Sequence, residues 1–326
     1  MKTLPLKRVV LLSDIGGTYV RFALFVNNRM TKVAKFRGDD FKSATEAIDF
    51  YLRQQKLTVT DMIFGVAGPV SNGKVILTNR GWKFDEKKLM KKYNLVSCLL
   101  VNDFVLKGYG MLGIGKKDLV KLGGGAEVKG APKCIIGPGT GLGICFLTNT
   151  GGEWIAHPSE GGHTDIAPCT PIQEKIIAHI AGNKVNLSAE EVLSGRGLVA
   201  IYKALADFEH QEVPQNMQSV EVINLFHNQD PIAVEALNHF FDFLATFAGN
   251  MAITMKTTGG VYIVSSILRN DGVMELMQLH PFRKSFEKRG KMAELAKSIP
   301  VYVIIKSRSA FKGLQRLAEA LIKTDI

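Results

Sequence analysis

Two polar residues, Asn102 and Asp103, directly follow the apolar run at residues 99–101 and precede a helix-like segment that begins at Phe104. In an open α/β sheet, ligands bind beyond the carboxyl ends of buried strands, which is where this pair would lie. Two interpretations stay open. Asp103 is the chemical centre of a ligand site, or one of the two residues only caps the next helix, a position that Asn and Asp favour.

A glycine-rich turn follows an aspartate in DIGGTYVR at residues 14–21. It is not a Walker sequence, because the chain contains no GxxxxGK[ST]. The backbone of Gly16, Gly17 and Thr18 could approach phosphate oxygens. Asp14 could then hold water molecules of Mg²⁺, an ion that usually takes one or two carboxylates plus phosphates. An ordinary hairpin turn, in which Asp14 bonds to its own backbone, also explains these residues.

A second glycine-rich turn, GPGTGLG at residues 137–143, stands between two apolar runs. It lacks the GxGxxG spacing of dinucleotide-binding folds, but its backbone N–H groups could still cradle a phosphate. The pattern of apolar run, glycine turn and apolar run therefore occurs in both halves of the chain. This repetition suggests an internally duplicated architecture.

The segment SEGGHTDIAP at residues 159–168 places Glu160 and His163 on one tight turn. A metal site, a surface loop and a polyol-binding loop are the competing interpretations. The spacing of a third metal ligand is missing, which weakens the first. A sugar needs donors and acceptors for each hydroxyl, and Glu, His and Asn side chains provide them.

Alternating strands and helices must position these residues, and such alternation indicates an α/β fold. Predicted strands include residues 9–12, 62–70, 99–101, 261–266 and 300–305. Predicted helices include the segment that a Ser43–Glu46 capping box opens, residues 85–93, the helix after Asp230 and Pro231, and residues 311–322. A second capping box joins Ser188 to Glu191.

Size and composition limit the class of protein. A chain of 326 residues predicts two lobes, since single cores stop growing at roughly 250–300 residues. The net charge of +11 would suit an anionic substrate such as a nucleotide or simply a solvated surface, and the lysine clusters lack the interleaved aromatics of nucleic-acid binders. No membrane span or signal peptide is expected. Four scattered cysteines are typical of a cytoplasmic protein.

Six segments in this order closely resemble the bacterial glucokinase family: DIGGTYVRFAL, TNRGW, LVNDF, GPGTGLG, EGGHTDIAP and SAEEVLSGRGL. The resemblance implies an α/β fold of two ribonuclease-H-like (actin-like ATPase) lobes with a cleft between them. The small lobe would comprise residues 1–113 plus about 305–326, and the large lobe residues 114–304. The two glycine hairpins match the superfamily's phosphate-binding hairpins.

The resemblance also implies the activity, which is MgATP-dependent phosphorylation of D-glucose at the 6-hydroxyl to glucose 6-phosphate. Asp103 looks like the catalytic base. The residues that would bind the sugar are Asn79, Asn102, Asp103, Glu160, His163 and Glu190. Glu191 occupies the capping position, which would leave Glu190 free to face the site. The residues that would bind ATP are Asp14, Gly16, Gly17, Thr18, Gly137, Gly139, Thr140 and Gly141. Asp14 would hold Mg²⁺ through water, and a homodimer is expected.

Three departures from the family pattern concern the nucleotide side. Tyr19 stands where the family usually has Asn, Ser265 and Ser266 replace a Gly-Gly pair, and residues 306–316 differ from the usual segment. A sugar-sensing protein with weakened catalysis would fit these departures and is one alternative function. A kinase for another hexose is a second alternative.

Overall fold

The computed structural model of the protein describes residues 8–16, 18–77, 81–305 and 309–323. The chain divides into two compact units, Met1–Ile114 with Arg308–Ile326, and Gly115–Ser307. The resemblance placed the lobe boundaries after residue 113 and near residue 305, and these boundaries remain predictions. Gly17 and Asn79, two of the predicted ligand residues, lie outside the described residues.

The elements of the described residues are numbered here in chain order. The strands are β1 (Val9–Ile15), β2 (Tyr19–Val26), β3 (Arg29–Arg37), β4 (Asp61–Val66), β5 (Lys74–Ile76), β6 (Lys83–Asp85), β7 (Ser97–Asn102), β8 (Leu119–Gly123), β9 (Lys133–Pro138), β10 (Leu142–Thr150), β11 (Glu153–Ser159), β12 (Val261–Ile263) and β13 (Val301–Ile304). The α-helices are α1 (Ala44–Gln55), α2 (Glu86–Tyr93), α3 (Asp103–Met111), α4 (Pro171–Ala181), α5 (Ala189–Val192), α6 (Gly195–Phe208), α7 (Ser219–His227), α8 (Pro231–Thr254), α9 (Val273–Leu279), α10 (Phe282–Glu287), α11 (Ala293–Ser298) and α12 (Ser309–Lys323).

The first unit is built on a five-stranded sheet of order β3-β2-β1-β4-β7. The strands β1, β4 and β7 are parallel, and their register aligns Ile15 with Val66 and Val66 with Asn102. The residues that end β1 and β7 therefore lie at the same edge of the sheet. This is the edge at which the sequence predicted a ligand site.

Apolar alternation along β1 fills a core on each face of this sheet. Leu11 and Ile15 belong to the core that includes α1, whereas Val10 and Leu12 belong to the core that includes Leu106 of α3 and Leu314 of α12. Asp14 follows Val10 and Leu12 at the same two-residue spacing, so its side chain is on the face of the sheet that α3 and α12 cover.

The second unit repeats this arrangement in a six-stranded sheet of order β11-β10-β9-β12-β13-β8. Its antiparallel strands β11, β10 and β9 correspond to β3, β2 and β1, and the parallel β12 and β13 correspond to β4 and β7. The additional strand β8 pairs antiparallel with β13. Two sheets of matching strand order are what the repeated glycine turns predicted.

Several predicted element ends are wrong. The strand predicted for residues 62–70 ends at Val66, because Gly68 has a φ of +137° and turns the chain. The strand predicted for residues 261–266 ends at Ile263. Ser265 Oγ accepts a hydrogen bond from Ile267 N, the first residue of the 3₁₀ turn Ile267–Arg269. Each difference arises from a side-chain or backbone contact that hydropathy does not report.

The capping predictions have mixed outcomes. Ser43 does cap α1, but Glu46 accepts from the backbone N–H of Lys42 rather than from Ser43. Ser188 and Glu191 form the predicted pair, since both Ser188 N and Ser188 Oγ donate to Glu191 Oε2.

A close helix contact yields a stability prediction for Gly313→Ala. A Cβ atom on Gly313 would overlap the carbonyl oxygen of Leu106, where α12 packs on α3. We expect a loss of about 1–3 kcal/mol in the free energy of unfolding, the usual cost of overpacking. Denaturant midpoints would measure the loss. Gly115→Ala is the matched control because a Cβ atom there has no heavy atom within 4 Å, and equal midpoints for both variants would contradict the prediction.

Candidate active site

Asp103 is the first residue of α3 and lies immediately beyond the carboxyl end of β7, as predicted. Its Oδ2 atom accepts a hydrogen bond of 2.7 Å from Lys107 Nζ, one helical turn further along. The Asp103 side chain is 24% exposed and that of Lys107 26% exposed. Lys107 belongs to none of the predicted site residues, although its i,i+4 spacing from Asp103 was a readable signal for this contact.

Asn102 performs the capping role that was one of the two open interpretations. Its Oδ1 atom accepts from Phe104 N at 2.8 Å, and its Nδ2 atom donates to the carbonyl oxygen of Gly68 at 3.1 Å. Asn102 therefore begins α3 and fixes the loop after β4. Because Asn102 supplies the cap, the neighbouring Asp103 carboxylate is not needed for it.

Asp14 pairs with a cation on the neighbouring strand. Asp14 and Arg21 are opposite each other in the β1–β2 register, and Arg21 Nη1 lies 2.8 Å from Asp14 Oδ2. The bond described for Asp14 therefore goes to Arg21, and the turn itself is closed by Gly16 N donating to Tyr19 O, as in an ordinary hairpin. The Gly16 N–H is thus used by the hairpin itself.

Burial raises the pKa of Asp14 above its ordinary value despite the opposing charges of Arg21 and Lys107. The Asp103 charge raises this pKa further, so the two carboxylates lie within electrostatic reach of each other. We call Asp14, Arg21, Asp103 and Lys107 the charge cluster. It gathers two acidic and two basic side chains at the sheet edge where β1 and β7 end.

The raised pKa of Asp14 predicts a pH-dependent stability difference for Asp14→Asn. Above its folded pKa, the buried carboxylate costs stability in the native state, whereas well below its ordinary pKa of 3.8 the group is protonated both folded and unfolded. The neutral variant should therefore unfold at higher denaturant concentration than wild type near about pH 7, and this advantage should disappear as the pH falls below about 4. Urea midpoints across this range would test it, and a difference independent of pH would contradict it.

The second glycine hairpin joins β9 to β10 in the other unit, with Gly137 paired to Gly143. Gly139 N donates to Gly141 O, and the N–H of Gly195, the first residue of α6, donates to Gly139 O at 2.7 Å. Thr140 is exposed at the tip. Backbone bonds on both sides therefore fix the shape of this turn.

Glu190 binds this hairpin, contrary to the expectation that it would be free. Its Oε2 atom accepts from Leu142 N at 3.0 Å, and its Oε1 atom lies 3.4 Å from Arg196 Nη2. The contact is close enough that Gly141 has no space for a side chain beside the carboxylate. A predicted sugar ligand thus contacts the backbone of a predicted phosphate-binding turn.

Glu160 and His163 lie on a 3₁₀ turn that packs against β10. Glu160 Oε2 is 3.8 Å from His163 Nε2, and the side chains are 63% and 59% exposed. In the described part of the chain, no group of three or more His, Cys, Asp or Glu side chains could hold a metal ion.

The predicted residues fall into two sets. Asp14, Gly16, Thr18, Asn102 and Asp103 belong to the first unit, and Gly137, Gly139, Thr140, Gly141, Glu160, His163 and Glu190 belong to the second. In the first set Asp14, Asn102 and Asp103 lie at one sheet edge, and in the second Glu190 contacts the β9–β10 hairpin while Glu160 and His163 lie at the 3₁₀ turn after β11. No helix among the described residues has the length and apolar character needed to span a membrane.

Known proteins of one family match nearly the whole chain. The family model described as Glucokinase matches residues 11–321. A glucokinase of Neisseria meningitidis is 36% identical over 314 residues, which are 95% of this chain and 94% of that protein. A bifunctional protein of Burkholderia pseudomallei is 33% identical over 95% of this chain, and the chain spans 49% of its length.

Solved structures agree with this assignment. The crystal structure of glucokinase from an Antarctic psychrotroph has a TM-score of 0.83 at 26% identity and covers 95% of this chain and 99% of that one. A ROK-family glucokinase of Streptomyces griseus, solved with glucose and AMPPNP, has a TM-score of 0.63 at 18% identity, with 96% and 99% coverage, and shares the fold. The predicted actin-like, two-lobed α/β fold class is thereby confirmed. The chain belongs to the glucokinase family.

Proposed function

We propose that the protein is a glucokinase that transfers the γ-phosphoryl group of MgATP to the 6-hydroxyl of D-glucose. The observation that carries the proposal is the charge cluster, in which Asp103 lies beyond the end of β7 within electrostatic reach of Asp14. Family membership supports the same reaction, as do the glucose and AMPPNP bound to the Streptomyces griseus enzyme.

In the proposed reaction, Asp103 accepts the proton of the 6-hydroxyl as that oxygen bonds to phosphorus and the bond between the γ-phosphorus and ADP breaks. Oδ2 is held by Lys107, so Oδ1 is the oxygen left to receive the proton. Phosphoryl transfer depends chiefly on positioning and on charge stabilisation. A general base adds about 10²- to 10⁴-fold in rate.

Sugar binding is assigned to Asn79, Asn102, Asp103, Glu160, His163 and Glu190. Glu160 and His163 are exposed and offer an acceptor and a donor, while Glu190 and Asn102 already make structural hydrogen bonds. Each of the latter two has hydrogen-bonding capacity left for one hydroxyl. Asn79 is assigned from the motif alone.

The chain's residues fit a magnesium ion bound through water. Asp14 Oδ2 bonds to Arg21, and Asp14 Oδ1 would accept a hydrogen bond from a water molecule of the ion. The raised pKa of Asp14 indicates that Arg21 and Lys107 only partly offset the cost of burying its negative charge. Mg²⁺ keeps several waters and needs only such a carboxylate plus phosphates. When bound, it would offset phosphate charge during transfer. The two glycine hairpins are assigned to the phosphates of ATP.

A sugar-sensing protein with weakened catalysis is the second candidate. Ser265 and Ser266 stand where the family usually has glycines, and Ser265 is buried with its hydroxyl bonded to Ile267 N. Both residues belong to the second unit. The retained Asp103 and Asp14 argue for the kinase.

A coupled assay of glucose 6-phosphate formation would separate these functions. Purified protein would receive glucose with ATP and other nucleotide donors, and then ATP with mannose and amino sugars, each with Mg²⁺. The proposal expects glucose and ATP to give the highest kcat/KM. Glucose binding without ATP consumption would favour the sensor, and a better hexose would replace glucose as substrate. A homodimer and a cytoplasmic location belong to the proposal, and light scattering would test the dimer.

A further inference from the structure

The ammonium of Lys107 makes two contacts with neighbouring side chains of α3. It donates to Asp103 Oδ2 at 2.7 Å and lies 3.7 Å from the centre of the Phe104 ring. The side chain is 26% exposed. A charge-assisted hydrogen bond and a cation–π contact therefore hold the same nitrogen, and each restricts the rotamers that the other allows.

The ammonium belongs to a cluster that contains a second carboxylate. Asp14 near the end of β1 and Asp103 just after β7 lie at the same edge of the sheet, and Asp14 pairs with Arg21 at 2.8 Å. Without Lys107, Arg21 would be the cation left in the charge cluster to balance two carboxylates. An ordinary solvent-exposed i,i+4 ion pair has no second carboxylate nearby and contributes little to stability. The Lys107–Asp103 pair differs because Asp14 belongs to the same cluster.

We propose that Lys107 is a positioning residue for phosphoryl transfer, which holds Asp103 Oδ2 so that Oδ1 faces the 6-hydroxyl of the sugar. This inference rests on the proposed kinase function. An aspartate carboxylate rotates easily about its last torsion, so a single base can present either oxygen. Anchoring one oxygen fixes the direction of the other before the sugar binds. Lys107 keeps its own proton throughout the reaction, since Asp103 Oδ1 receives the proton of the hydroxyl.

Lys107→Met tests the proposal because it keeps the apolar stem and removes the ammonium. We expect kcat to fall about 10- to 10²-fold, since misplacing a reacting group by a small distance costs this much. The KM values for glucose and ATP should stay within about threefold, because the ammonium is not assigned to either substrate. Lys92→Met is the matched control. Lys92 Nζ also lies 2.7 Å from an aspartate oxygen, that of Asp49, but on α2, away from the charge cluster.

Chemical rescue supplies a readout that a structural role would not give. Lys107→Cys alkylated with 2-bromoethylamine regains an ammonium of nearly the lysine length, and kcat should return toward wild type. Alkylation with iodoacetamide adds a neutral group and should not restore activity. Wild type treated with each reagent controls for the four native cysteines. Equal recovery with both reagents would contradict a role for the charge.

A double variant separates action through Asp103 from action elsewhere. If Lys107 acts through the base, Lys107→Met should cause no further loss of kcat in an Asp103→Asn background. A full additional loss would instead assign the ammonium to the phosphates or to Asp14 and would overturn the proposal, as would a wild-type kcat for Lys107→Met. Failure of wild type itself to form glucose 6-phosphate would refute the kinase function, which is a distinguishable result.

Discussion

Asp103→Asn is expected to lower kcat by about 10²- to 10⁴-fold, the usual contribution of a general base. The amide has nearly the shape of the carboxylate but cannot accept the proton of the 6-hydroxyl. The fold should persist, because Asn102 rather than Asp103 caps α3 and the Lys107 ammonium that loses its partner is partly exposed. Glucose should therefore still bind. Steady-state kinetics and calorimetric titration with glucose would measure the two effects separately.

Asp49→Asn is the matched control for this substitution. Asp49 accepts from Lys92 at the same 2.7 Å distance, and it lies on α1, outside the charge cluster. Its variant should keep the wild-type kcat. A near-wild-type kcat for Asp103→Asn would rule out the role of base, and loss of glucose binding in this variant would move Asp103 from catalysis to substrate binding.

Glucose analogues that each lack one hydroxyl are expected to be poor substrates at the positions that the protein contacts. A site built to bond a hydroxyl can reject the analogue without it by about 10⁴- to 10⁵-fold, because a buried polar group then loses its partner. Glu160 and His163 are exposed in the structure, so the full factor requires that bound sugar removes them from water. The measured factor for each position would therefore report how completely each contact is buried in the complex.

Kinetics of the Glu160→Gln variant with the deoxy analogues would identify the sugar hydroxyl that Glu160 binds. Glu160→Gln should lower kcat/KM for glucose but should lower it less for the analogue that lacks the hydroxyl bonded to Glu160. The ratio of kcat/KM for glucose to kcat/KM for that analogue would then fall toward one, while the ratios for the other analogues would not change. Glu153→Gln, an exposed residue at the start of β11, is the control and should leave discrimination unchanged. Equal kcat/KM for glucose and every such analogue in wild type would refute the assigned contacts.

The fold was predictable from local signals where these were strong. Apolar runs separated by glycine turns predicted the β1–β2 and β9–β10 hairpins, and the polar stop at Asn102 predicted the end of β7. Element ends were less predictable, since Gly68 and Ser265 end their strands through a turn and a side-chain bond. These depend on three-dimensional contacts rather than on residue period.

The site was predictable in its residue types but not in its hydrogen bonds. Family motifs identified Asp103 and Glu190, yet Glu190 bonds to Leu142 N, a residue 48 positions away in the chain. A contact of that separation leaves no periodic signal in the sequence. Lys107 lay outside every motif, and only the helix that begins at Asp103 brings its ammonium to the carboxylate.

The position of α12 has a consequence for the order of synthesis. Leu314 and Ala318 of this last helix fill the same core as Val10 and Leu12 of β1. A ribosome must therefore translate the whole second unit before it supplies the helix that completes the first. The emerging chain carries an apolar sheet face without its final cover during that interval, and exposed apolar surface of this kind promotes aggregation. Truncations near the carboxyl terminus should accordingly damage the unit that contains the amino-terminal strand.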